Sequence, residues 1–116
     1  MPFLHIQIGR ELPKEAVCEI YDFCAQKISL IPQKNKDNLG AVRIETDGDT
    51  FKYGKETPCA FVDVRLFGPA PKAAKEAFAQ ALGEKLQETA QLGPGEIYMN
   101  FIELDHWATG DSFRTL

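Results

Sequence analysis

The sequence predicts an α+β fold: a strand–helix–strand unit written twice, forming a four-stranded mixed sheet with both helices on one face. Two segments with apolar residues at helical spacing each follow a stretch of period-two alternation and precede another. Proline, glycine and acidic turn residues punctuate the boundaries between them. The order of elements restarts near residue 58, so one domain spans 1–116 with pseudo-repeats at about 1–57 and 58–116.

In the first repeat, Leu4, Ile6 and Ile8 alternate with His5 and Gln7 as a half-buried strand. Pro13 opens a helical pattern carrying Val17, Ile20, Tyr21, Cys24 and Ile28. A polar loop, Ile31 to Gly40, leads to a second strand, Ala41 to Glu45, and a turn at Asp47-Gly48-Asp49. Phe51 to Lys55 reads as a short, weak strand or a loop.

The second repeat sets Val62, Val64 and Leu66 against Phe61, Asp63, Arg65 and Phe67 within Cys59 to Phe67. Gly68-Pro69-Ala70-Pro71 opens a helix with Ala74, Phe78, Ala81, Leu82 and Leu86 on one face, and Gly93-Pro94-Gly95 is expected to stop it. The last long strand, Ile97 to Leu104, has Tyr98, Asn100 and Ile102 on one face and Ile97, Met99 and Phe101 on the other. Crossover helices imply parallel pairing within each repeat. The uncovered sheet face carries apolar residues too, which predicts a cyclic oligomer with its sheets turned inward.

Composition narrows the function. A net charge of −4 and a pI near 5.1 argue against a general nucleic-acid or membrane-surface binder. No apolar stretch approaches the roughly 20 residues of a membrane span. The amino terminus shows no signal-peptide pattern, so a cytoplasmic location is expected, with leaderless export left open. Cys18, Cys24 and Cys59 are odd in number and lack paired spacing, which fits a reduced compartment. Cys18 and Cys24 lie on the first helical pattern and read as core thiols. With His5 and His106 they form no metal-ligand pattern.

Pro2 is the residue with chemistry in it. A small residue behind the initiator lets Met1 be removed, which would leave a secondary amine at the start of the first strand. An α-amino group ionises near pH 8 in water, and an apolar pocket lowers that pKa towards neutrality. Such a group is a good general base. The structural alternative is that Pro2 opens an edge strand, where its missing N–H costs nothing.

Four patches together resemble the tautomerase superfamily, and within it the macrophage migration inhibitory factor and D-dopachrome tautomerase family. They are Met1-Pro2-Phe3; Thr57-Pro58-Cys59-Ala60; Phe67-Gly68; and Ile97-Tyr98-Met99-Asn100-Phe101 with Leu104 and Trp107. The resemblance spans nearly the whole chain. It implies a trimeric barrel, no cofactor, no metal, and Pro2 as the catalytic base for keto–enol tautomerisation of a small α-keto or unsaturated acid.

It further implies that Tyr98 and Asn100 reach Pro2 from a neighbouring subunit and that Phe67 borders the substrate. On the residues alone, Tyr98 reads as a packed aromatic and Asn100 as a satisfied polar residue. The family's carboxylate-binding lysine has no certain counterpart: Lys34, Lys36, Arg43 and Arg10 are candidates. The family's Cys-x-x-Cys pair is absent, Val62 standing where its second cysteine would be. Arg10, Arg43 and Arg65 also resemble positions in the oxalocrotonate-tautomerase, dehalogenase and decarboxylase branches. His5 reads as a structural or channel-facing residue, and Trp107 as an anchor of a terminal segment that covers a neighbouring subunit. A non-catalytic, cytokine-like protein-binding role is the alternative from another class.

Overall fold

The computed structural model describes residues 2–116, so the expected removal of Met1 lies outside the described residues. The first repeat contributes β1 (Phe3–Ile8), α1 (Lys14–Lys27) and β2 (Ala41–Thr46); the second contributes β5 (Ala60–Phe67), α2 (Lys72–Ala90) and β6 (Ile97–Leu104). A two-residue pair, β3 (Phe51–Lys52) and β4 (Lys55–Glu56), links the repeats, and a terminal hairpin joins β7 (His106–Thr109) to β8 (Ser112–Thr115).

The main sheet runs β2-β1-β5-β6. β1 pairs parallel with β2, and β5 with β6, because each helix returns the chain to the starting edge. The repeats join through antiparallel β1 and β5, with Phe3 opposite Arg65 and Gln7 opposite Phe61.

Period two decides what each strand buries. Leu4, Ile6 and Ile8 of β1 and Val62, Val64 and Leu66 of β5 face the helices. Ile20, Cys24 and Ile28 from the first crossover and Phe78, Leu82, Leu86 and Ala90 of α2 close over them. Among the described residues this core holds no buried polar or charged side chain. Phe78 meets Phe101 edge-on at 6.5 Å between ring centres. Lys85 on α2 reaches Glu19 on α1 at 2.9 Å and holds the helices side by side.

Several expectations are corrected. Cys24 is a core thiol, with burial pushing its pKa up to about 12, whereas Cys18 is exposed. Tyr21 is likewise 45% exposed, because burial follows Ile20 and Cys24 on α1 and Ile28 just past its end, one above another, and Tyr21 sits at the margin of that stripe. α2 ends at Ala90, before the glycines: Gln91 takes a left-handed cap (φ 55°) and its N–H bonds Gln87 O. The segment after Asp105 forms a β-hairpin, its ladder extended by Leu116 donating to Asp105 O at 3.0 Å, with the Leu116 side chain beside Gly68.

Candidate proline site

The strand registers sort the open face of the sheet into three rows. Ala41, Phe3, Arg65 and Ile102 form the row nearest Pro2; Arg43, His5, Asp63 and Asn100 form the middle one; Glu45, Gln7, Phe61 and Tyr98 form the far one. The face is therefore wholly polar across its centre, while its end rows mix apolar residues with Arg65 at one end and Glu45 and Gln7 at the other, which an alternation count alone does not reveal.

Pro2 is buried at the head of β1, a central strand, and its carbonyl accepts the Gly40 N–H at 2.8 Å. That bond ties the end of the lysine loop to the proline. The loop itself is shaped by its asparagines: Asn35 Oδ1 accepts the Asp37 N–H at 2.8 Å, and Asn38 Nδ2 donates to Gln33 O at 2.8 Å. Lys34 is half-buried within it, and Lys36 is exposed.

Phe67 ends β5 on the strand beside β1 and is half-buried. Gly68 follows with φ +89°, a backbone that side-chain-bearing residues rarely adopt, and donates to Leu104 O at 2.8 Å. Pro2, Phe67 and the tether of the lysine loop thus share one end of the sheet.

Tyr98 and Asn100 do not join them within the chain. Tyr98 lies opposite Phe61, which lies opposite Gln7, five residues along β1 from Pro2. That is about 16 Å along the strand, with two strand spacings of about 5 Å to cross as well. Tyr98 stacks on Phe61 at 5.7 Å between centres, and the Asn100 amide donates to Asp63. Lys52, from β3, stands 5.9 Å from the Tyr98 ring centre and donates to Gly95 O.

Arg43 lies in the middle row on edge strand β2, its guanidinium 3.4 Å from Glu45. Glu45 also bonds His5, and these two partners hold its carboxyl below the usual carboxylate range, the His5 bond contributing most. Arg10 lies past the far end of β1, 3.5 Å from Gln91 O.

The hairpin adds residues that the sequence reading did not place at the site. One cleft, of about 250 Å³, is lined by Phe67, Trp107, Thr109, Asp111, Ser112 and Arg114. A second, of about 230 Å³, lies among Phe3, Arg65, Leu104, His106, Trp107 and Ala108. The available signal was Gly110-Asp111 between two short alternating runs, a hairpin pattern. Among the described residues no group of three or more His, Cys, Asp or Glu side chains is arranged to hold a metal ion.

By sequence the chain matches no family model and no curated protein. By structure it is similar to a macrophage migration inhibitory factor-like protein from Entamoeba histolytica, at 23% identity over 97% of both chains and a TM-score of 0.85. It is similar also to the Leishmania major protein MIF2, at 14% identity over 97% of both chains and a TM-score of 0.81. The macrophage migration inhibitory factor of Toxoplasma gondii shares 18% identity over 96% of this chain and 98% of its own, with a TM-score of 0.75. The chain has the macrophage migration inhibitory factor fold, as the resemblance in its sequence implies.

Proposed function

We propose that the protein is a keto–enol tautomerase in which Pro2, freed by removal of Met1, is the general base. The observation that carries this reading is the setting of Pro2: buried, at the head of a central strand, and tied through its carbonyl to Gly40. Burial disfavours the charged form of an amine, so a free Pro2 nitrogen kept in this setting would have its pKa lowered, which suits a general base. It takes the proton from the carbon next to the ketone of an α-keto acid such as phenylpyruvate. The carbonyl oxygen becomes an enolate, and the prolinium returns the proton to that oxygen to complete the enol. The developing enolate needs a hydrogen-bond donor already in place.

The same reading has the pocket completed by a neighbour in a homotrimer, Asn100 arriving from the middle row and Tyr98 from the far row of the adjacent subunit. Support for assembly comes from Phe61, Tyr98 and Ile102, which leave 36–43% of their surface exposed on the open face. No helix among the described residues is long and apolar enough to cross a membrane.

Intact mass, followed by a phenylpyruvate keto–enol assay, tests the mechanism. The form lacking Met1 should be active, and a preparation retaining Met1 should be inactive because its Pro2 nitrogen is an amide. Equal rates for the two forms would refute Pro2 as the base, as would full activity of Pro2→Gly. An inactive, processed trimer would favour the protein-binding role instead.

A further inference from the structure

We propose that Arg114 is the cation that holds the substrate carboxylate, in the cleft between Phe67 and the terminal hairpin; this inference rests on the tautomerase reading above. Phe67, two residues beyond Arg65, the partner of Phe3, is the one main-sheet residue lining this cleft, and Trp107 is shared with the neighbouring cleft that Phe3 lines next to Pro2. Phe67 and Trp107 give it aromatic walls. Arg114 stands directly across the hairpin ladder from Trp107, so both side chains project to the same face.

Among the described residues Arg114 takes part in no ion pair. Its planar fork of donors matches a carboxylate, which a lysine meets only as a point charge. Four other cations are less well disposed, and Lys34 is the rival that the test below separates. Arg43 is committed to Glu45, Arg10 lies past the far end of β1, and Lys36 is solvated on its loop. Arg65 lines the neighbouring cleft, its guanidinium 5.8 Å from the Phe3 ring centre.

The cleft also specifies what it rejects. Asp111 shares it, accepting a hydrogen bond from the Thr109 hydroxyl at 2.7 Å. One arginine and one aspartate beside two aromatic walls suit a monoanion with an aryl or apolar body, and a second carboxylate would meet Asp111.

Trp107 is the only tryptophan in the chain, so its fluorescence reports occupancy directly. The full-length protein is titrated with 3-phenylpropanoate, an unreactive carboxylate, and with the corresponding neutral amide. The acid should produce a saturable change and bind at least about 10-fold more tightly than the amide, the scale of a charge-assisted hydrogen bond. Arg114→Met should weaken the acid by about 10- to 100-fold and leave the amide unchanged. Arg114→Lys should fall between, and Asp111→Asn should tighten the acid.

The proposal is overturned if Arg114→Met binds the acid normally, if Arg65→Met or Lys34→Met causes the loss instead, or if acid and amide bind alike. Absence of any Trp107 response overturns it too. Full turnover by Pro2→Gly would sink the tautomerase reading while leaving the binding result standing.

Discussion

At the Pro2 end of the open face, Phe3, Phe67, Leu104 and the terminal hairpin gather around the head of β1, and two clefts share Trp107 as a wall. At the other end, Phe61 and Tyr98 stack in the open with the Lys52 ammonium beside them. The first end has the buried Pro2, aromatic walls and an arginine. The second has an aromatic hydroxyl that nothing in its own chain brings near that proline. The difference teaches that the sheet keeps Pro2 and Tyr98 about 16 Å apart along β1, so the proposed pocket needs two chains, each supplying one half-site.

The largest expected effect is at the first half-site. Pro2→Gly keeps the amine and the carbonyl that Gly40 holds, yet loses the ring that orients the nitrogen. The catalysed rate should fall by roughly 10²- to 10⁴-fold, the contribution of a positioned acid–base group. Thermal unfolding should show the fold intact, and a rate within twofold of wild type would break the contrast between the ends.

At the second half-site, Tyr98→Phe removes a hydroxyl and leaves the ring to stack on Phe61. Loss of about 1–3 kcal/mol in kcat/KM with unchanged stability is expected if that hydroxyl serves the neighbour's proline. An unchanged kcat/KM would reduce Tyr98 to packing.

Gly68 sharpens the comparison on the stability side. Its φ of +89° leaves an added Cβ both strained and 3.4 Å from Leu116 Cδ2. Gly68→Ala should cost about 1–2 kcal/mol in urea unfolding and loosen the hairpin that roofs the Pro2 end. Gly48→Ala, whose Cβ would meet open space, is the control and should cost far less.

The smallest effects concern one carboxylate at each end. Glu103 is held below its ordinary pKa of 4.5, first by Lys75 and then by the Ala70 N–H; Glu45 is held low by His5 and Arg43. A carboxyl depressed in the folded state contributes stability that is present above about pH 4.5 and lost as pH falls through its folded pKa. Glu103→Gln and Glu45→Gln should each flatten the acid limb of stability against pH. A limb unchanged by both substitutions would show that neither pairing matters.

Much of the fold was legible because the two periodicities are clean. Leu4, Ile6 and Ile8 announce a strand with one buried face, and Phe78, Leu82 and Leu86 a helix stripe. The hairpin was not legible as such: four-residue strands carry too few alternations, and its residues are exposed apart from the half-buried Trp107. The end of α2 was missed because Gln91, a non-glycine residue, takes the left-handed cap. Pro2 stood out in the sequence because an amine next to the initiator has chemistry of its own. The proposed carboxylate cation did not, because arginines on strands look alike until the structure pairs Arg43 with Glu45 two residues along its own strand and sets Arg114 across the hairpin from Trp107.

Subunit complementation tests the two half-sites most directly. Pro2→Gly and Tyr98→Ala are each expressed alone, shown to fold, and then co-expressed so that their chains mix. If a working pocket takes Pro2 from one subunit and Tyr98 from its neighbour, random mixing leaves about one pocket in four with both wild-type residues. Activity should therefore return to about a quarter of the wild-type level, far above either variant alone. Mixed assemblies no more active than the two separate variants, or a wild-type monomer that is fully active, would contradict it.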